Sequence, residues 1–290
     1  MPQTNNISNK LALGTANLAM RYGLKNKKNY FTNKSIGQIL KRLKKSKIFY
    51  IDTAQAYGKS EIKLGKFSLK KFNIITKVNY SQKNNKAITN EDILKSLKNL
   101  SIKKFYAVLV HNTDIFKTTL GRQLYDTLNE LKKKKIINKI GYSINSPIEL
   151  DNYFKKFKPD IIQAPLNVFD QRLVSSGWLK KLHNNKVEIH ARSIFLQGLL
   201  LFKKNNLPKK FTIYRNDLIK WYEFLKKHKL NQLEGCLEFA YCQKYISKII
   251  LGVDSPKQLN QILNIKLKKT KIDFSTLKSN KKKLISPSLW

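Results

Sequence analysis

The sequence predicts an α/β fold, a parallel (β/α)8 barrel of the TIM type in a single domain. Two patterns and one absence lead there. Eight short apolar runs, mostly β-branched, alternate with longer lysine-rich amphipathic runs along the 290 residues. Such alternation implies a parallel sheet buried on both faces, and eight units can close into a barrel. No Gly-x-Gly-x-x-Gly follows the first run, which argues against an open dinucleotide-binding sheet.

The expected strands lie at residues 11–13, 48–51, 72–75, 106–110, 139–142, 161–163, 187–191 and 249–251. Most stop at a polar or glycine residue: Gly14, Asp52, Thr76-Lys77, His111, Ser143, Arg192-Ser193 and Gly252. Helical periodicity falls at 35–44, 60–67, 90–100, 120–134, 147–157, 172–183, 217–228 and 256–263. Ser60 is the expected N-cap of the second helix. The proline at 147 suits a first helical turn. Residues 202–214 lack an apolar period and read as an insertion after the seventh strand. The barrel core is expected over about 11–265, with a polar, loosely packed tail at 273–290.

Composition narrows the classes of function. Lys and Arg number 58 against 18 Asp and Glu, a formal charge of +40. Nucleic acid is the first suspicion for so basic a chain. The excess is nearly all lysine, however, and it is spread evenly. Arginine, the better bidentate reader of phosphate and guanine, occurs only at 21, 42, 122, 172, 192 and 215. A solvated basic surface is therefore expected, with nucleic acid not the partner. No run is long and apolar enough for a membrane span, and the N-terminus lacks a signal-peptide core, so a cytoplasmic enzyme is expected. Cys236 and Cys242 fit neither a redox pair nor a zinc cluster, and read as buried small residues; no metal is expected.

Catalytic groups of a barrel sit at the C-terminal ends of its strands. There the sequence puts Asp52, Lys77 and His111 on three consecutive strands, with Tyr57 in the loop after Asp52. Each has an ordinary explanation alone: a loop cap, a packed ring, one lysine among many. Together they can protonate a carbonyl oxygen as hydride reaches its carbon. An ammonium from Lys77 would favour the phenolate of Tyr57, Asp52 would keep Lys77 charged, and His111 would hydrogen-bond the developing oxyanion. Tyr57 would be the general acid in reduction and the general base in oxidation.

The run Asp52-Thr53-Ala54-Gln55-Ala56-Tyr57-Gly58, with Ser60-Glu61 and Leu64-Gly65, closely resembles the aldo-keto reductase signature. So do Ile75-Thr76-Lys77, Leu109-Val110-His111-Asn112 and Leu13-Gly14-Thr15-Ala16. The resemblance implies a nicotinamide cofactor and no metal. It implies that Ser143 and Gln163 bind the carboxamide, with Ile144 standing where relatives carry an asparagine. Arg192 occupies the place of an aromatic that stacks on the nicotinamide; it could stack likewise or grip a substrate carboxylate or phosphate. Ser193 and Leu196 fit the loop near the pyrophosphate. Gly252, Ser255, Lys257 and Gln258 resemble the cofactor-phosphate loop entering a helix N-terminus, a natural anion site. NADPH is the expected cofactor, with NADH the alternative. The stretches 13–26 and 191–200 resemble a bacterial branch linked with surface-sugar metabolism, and the short N-terminus suggests that a floor-plugging hairpin is absent or reduced. The expected activity is interconversion of an aldehyde, ketone or sugar with its alcohol. An epimerase or eliminase that retains its cofactor and a non-catalytic nicotinamide-binding regulator are the alternatives. The oligomeric state is not readable.

Overall fold

The computed structural model describes residues 7–24, 31–78, 89–268 and 272–290. The first six residues, and Lys25 and Asn26 of the sugar-branch stretch, lie outside them. The strands are β1 (Leu11–Gly14), β2 (Tyr50–Asp52), β3 (Asn73–Val78), β4 (Phe105–Val110), β5 (Ile137–Ser143), β6 (Ile161–Pro165), β7 (Glu188–Arg192) and β8 (Lys248–Gly252). They pair in parallel, each with the next and β8 with β1, and close the barrel. The expected (β/α)8 architecture is thus the observed one.

The helices are α1 (Asn33–Lys45), α2 (Ser60–Gly65), α3 (Asn90–Leu100), α4 (Thr119–Lys133), α5 (Ile148–Tyr153), α6 (Arg172–Ser175), α7 (Trp178–Asn184), α8 (Arg215–Lys227), α9 (Gln232–Cys242), α10 (Pro256–Leu263) and α11 (Lys282–Ile285). Local chemistry accounts for several ends. Thr32 caps α1 by accepting from the Ser35 N–H, and Thr89 and Asp92 form a capping box on α3. Ile36, Ile39, Leu40 and Leu43 recur at helical spacing and bury one face of α1.

Period-two alternation gives the barrel two cores. Ile74, Val108, Val110 and Ile162 pack outward in the large core shared with the helices, whereas Ile75, Ala107, Leu109 and Ile161 form a separate cluster inside. Gly141 permits close approach of β5 to β6: a Cβ there would lie 1.7 Å from the Ile161 carbonyl oxygen.

Four expectations need correction. The helix expected at 172–183 breaks into α6 and α7 at Gly177, whose φ of +78° no continuing helix accommodates. Ser60 does not cap α2 but is its first residue, and its hydroxyl donates to the Thr15 carbonyl at 2.9 Å. The tail is not loose: Ile272, Phe274, Leu277, Leu284 and Ile285 are buried, Gln171 Nε2 donates to the Phe274 carbonyl at 2.8 Å, and Phe274 packs on Phe224. Its apolar residues are spaced too irregularly to show a period, yet most of them pack against the outer helix layer, with Leu289 left exposed. Finally, Cys236 is buried but Cys242 is exposed, in the last turn of α9.

The floor, at the N-terminal ends of the strands, is polar. Residues Ile7–Lys10 form a short 3-10 turn leading straight into β1. Glu188, at the start of β7, accepts from Tyr106 Oη at 2.6 Å and Lys139 Nζ at 2.5 Å, and lies 2.6 Å from His190 Nε2. Burial pushes the Glu188 carboxyl up, but His190, Lys139 and Tyr106 outweigh it and pull the pKa down to about 2. A carboxylate whose folded pKa is depressed stabilises the fold above its unfolded pKa, and that contribution fades as pH falls towards the folded value. Glu188→Gln is therefore expected to cost roughly 2 kcal/mol near neutral pH once solvent screening is discounted. The gap from wild type should close between about pH 4.5 and pH 2; urea unfolding of both proteins across that range measures it, and a gap independent of pH would contradict the assignment.

Candidate active site

Register brings the candidate residues together. Gly14 pairs with Asp52, Asp52 with Ile75, and Lys77 with Leu109, so Asp52 and Lys77 point into the barrel at its C-terminal mouth. Past the strand ends, the Thr53 N–H bonds to the Ile75 carbonyl, the Gln55 N–H to Lys77, and the His111 N–H to Val78, holding the β2 and β4 exits against β3. The Tyr57 loop is fixed in turn. The Tyr57 N–H bonds to the Ala54 carbonyl, and Gly58 adopts a φ of +57°.

The remaining signature residues serve as braces. Thr15 Oγ1 donates to the Asp52 carbonyl at 2.9 Å, and Thr76 Oγ1 donates to the buried Glu61 carboxylate at 2.7 Å. The carboxylate of Glu61 lies in the first turn of α2, where helix N–H groups favour negative charge.

The centre is a buried ion pair. Lys77 Nζ lies 2.6 Å from Asp52 Oδ2, with side-chain exposures of 1% and 3%. The same nitrogen donates to the Thr53 carbonyl at 3.0 Å and to Tyr57 Oη at 3.3 Å. Burial works against the Lys77 charge, but Asp52 and Tyr57 outweigh it and its pKa stands above the ordinary lysine value. Lys77 is thus an ammonium aimed at a phenol. His111 stands edge-on to Tyr57, ring centroids 5.9 Å apart. Burial, then the Lys77 charge, lowers its pKa to about 4, so the imidazole is neutral near pH 7. Its Nδ1 is buried with no partner among the described residues.

A cleft of about 180 Å³ of water-accessible space opens over Asp52 and Tyr57. Gln163, Arg192, Ser193, Gly252 and Gln258 line it as well. Ser143 is buried beside Gln163, with which it pairs in register. Gln163 donates from Nε2 to Asp52 Oδ1 at 2.7 Å, so it also satisfies the carboxylate oxygen that Lys77 does not meet. Leu196 is wholly buried and does not line the cleft, and its N–H bonds to the Ser193 carbonyl; Phe195, Gln197 and Gly198 of the same loop do line it. Ser255 caps α10, its Oγ accepting from the Gln258 N–H at 3.1 Å, and Lys257 is exposed on the first turn. The Gln258 side chain folds back to accept from the Asp254 N–H at 2.5 Å.

Sequence reasoning missed two residues here. Asn17 donates to Asp254 Oδ1 at 2.6 Å and to the Val253 carbonyl at 3.3 Å, tying the loop after β1 to the loop after β8. Tyr22 lines the cleft with Arg192, its phenol pushed up by burial and partly pulled back by the Arg192 guanidinium. Neither carries a local signal, because each acts across the barrel mouth. The loop after β7 holds Ser193, Leu196, Gln197 and Gly198 at φ of +62°, +47°, +51° and +89°, and the Leu24 N–H bonds to the Gln197 carbonyl. Such strained backbone survives only where its surroundings fix it, and it concentrates in ligand clamps.

Among the described residues, no group of His, Cys, Asp and Glu could hold a metal ion, and no helix is long and apolar enough to cross a membrane. A model of the aldo/keto reductase family matches residues 10–281. No curated protein sequence matches the chain. Among solved structures, the holo form of aldo-keto reductase AKR11C1 from Bacillus halodurans superposes with a TM-score of 0.71 at 19% identity, covering 92% of this chain and 91% of its own. The glycerol dehydrogenase AKR11B4 from Gluconobacter oxydans gives 0.64 at 22% identity, covering 91% and 87%. At such identities the likeness speaks for the fold.

Proposed function

The chain belongs to the aldo/keto reductase family, an oxidoreductase family that uses nicotinamide cofactors, and from that premise we propose that it reduces an aldehyde, ketone or sugar with NADPH. The observation that carries this reading is the Tyr57 hydroxyl set 3.3 Å from an ammonium that Asp52 holds at 2.6 Å.

The cleft suits an extended dinucleotide. Gly14, Gly198 and Gly252 line it without side chains, and it runs from Tyr57 to Gln258 in the first turn of α10. Ser143 and Gln163 would hold the carboxamide, Ser193 and the loop through Leu196 the pyrophosphate, and Ser255, Lys257 and Gln258 the adenosine phosphate. When bound, the cofactor supplies the hydride. The chain itself handles the proton. His111, neutral, donates a hydrogen bond to the substrate oxygen and polarises the carbonyl. Tyr57 transfers its proton to that oxygen as charge develops there, and the phenolate left behind is stabilised by Lys77 until solvent returns a proton. Asp52, bonded to Lys77 at 2.6 Å, orients the ammonium toward Tyr57.

Exposed Lys257 favours a 2′-phosphate, and the basic surface would draw in a polyanionic cofactor. The test is cofactor titration with NADPH and NADH, followed by a panel of aldehydes, ketones and aldoses read at the nicotinamide absorbance. NADPH should bind tighter and be consumed. Consumption of neither cofactor with any carbonyl would refute the reading, and a preference for NADH would correct it.

A further inference from the structure

Among the described residues, the reacting end of the cleft carries a positive charge with no counter-ion. Asp52 and Lys77 cancel as a pair 2.6 Å apart. His111 is neutral above about pH 4. What remains is Arg192, half-buried at the mouth end of β7 in the cleft wall. Arg172, by contrast, is matched to Asp170 at 2.8 Å.

Arg192 is held by neutral acceptors. Its Nη2 donates to the Ile144 carbonyl at 2.9 Å and to Asn145 Oδ1 at 2.8 Å, and its Nη1 to Ser193 Oγ at 3.2 Å. No carboxylate bonds it among the described residues. The three bonds fix the guanidinium plane and leave its Nε–H without an acceptor there. Its charge acts on the catalytic end, where after burial it is among the influences on Tyr22 and His111. A partly desolvated cation costs free energy until an anion meets it. The adenosine phosphate of the cofactor would lie at the other end of the cleft, beside Ser255 and Gln258; its pyrophosphate would lie nearer, at Ser193, and a contact of Arg192 with it would show as weaker NADPH binding in Arg192→Leu.

We propose that the substrate is an anionic carbonyl compound bearing a carboxylate or phosphate, and that Arg192 is the residue that selects it. This rests on the reductase reading above. Arg192 reaches the substrate's charged group while Tyr57 and His111 hold the carbonyl oxygen, so the charge sets the pose in which hydride transfer occurs. The Ile144 carbonyl and Asn145 side chain position the guanidinium, which gives a role to the segment where the usual asparagine is replaced.

Matched substrate pairs test the proposal: succinic semialdehyde against butanal, and glyceraldehyde 3-phosphate against glyceraldehyde. Wild type should favour at least one charged member by about tenfold or more in kcat/KM, chiefly through KM, and added salt should weaken the preference. The pair that shows it tells carboxylate from phosphate. Arg192→Leu should erase the preference, lowering kcat/KM for the charged member about tenfold more than for the neutral one, and Arg192→Lys should restore part of it. No preference in wild type, or equal losses for both members together with weaker NADPH binding, would overturn the proposal; the latter marks a cofactor contact. Binding of succinate and of inorganic phosphate to the NADPH-loaded protein, read by the bound nicotinamide fluorescence, needs no turnover. Saturable anion binding lost in Arg192→Leu, with no carbonyl reduced, would sink the reductase reading and keep the anion site. Absence of binding by both anions in wild type would sink the anion site alone.

Discussion

Tyr57→Phe is expected to lower kcat by roughly a hundred- to ten-thousandfold, the usual worth of a positioned proton donor, with cofactor affinity almost unchanged. Phenylalanine keeps the ring packed edge-on to His111 and under the Lys77 ammonium, 4.9 Å from the ring centroid, and removes only the hydroxyl. The folded state loses one hydrogen bond, the 3.3 Å contact from Lys77 Nζ, which still has Asp52 and Thr53. Stability should therefore change little while chemistry collapses. Steady-state kinetics beside a cofactor fluorescence titration separates the two. Turnover that survives the substitution would show that another group delivers the proton.

The largest effect on stability is expected at the ion pair beneath it. Asp52→Asn or Lys77→Met alone leaves one charge uncompensated at a site where both side chains are almost wholly buried. Breaking such a pair from one side costs about 3–5 kcal/mol. Asp52→Asn also leaves Gln163 Nε2 facing an amide in place of the carboxylate it now meets at 2.7 Å. The double variant, with no charge left to bury, should lose less than the two single losses added. Urea unfolding of the four proteins closes the cycle. Simple additivity would mean that the two groups do not act as a unit. Lys77→Met should also lose activity, because no ammonium then stabilises the phenolate.

The fold was legible because burial on both faces leaves a plain trace. A strand with one side in the barrel and the other against helices must be apolar throughout its length, and the eight such runs are the eight strands. Their ends shifted by one to three residues, since β3 continues through Thr76 and Lys77 and β5 begins before Asn138, polar residues that carry no apolar signal of their own. The missed helix α9 has the opposite difficulty. Gly235, Cys236, Leu237, Glu238, Phe239 and Ala240 are all buried, so no polar face marks a helical period.

The candidate site divides in the same way. Asp52, Tyr57, Lys77 and His111 could be read from the chain because each stands at, or a few residues beyond, the end of a recognisable strand, where a polar residue interrupts an apolar run. That position is a local property, and the sequence by itself determined it, together with the barrel that makes strand ends converge. The tertiary structure alone decided the partners. It turned Gln163 onto Asp52, tied Asn17 to Asp254, brought Tyr22 over the cleft, and set Arg192 on neutral acceptors with no carboxylate beside it. These contacts join residues 47 to 237 positions apart in the chain. No window of sequence contains both members, and it is the closure of the barrel that makes them neighbours.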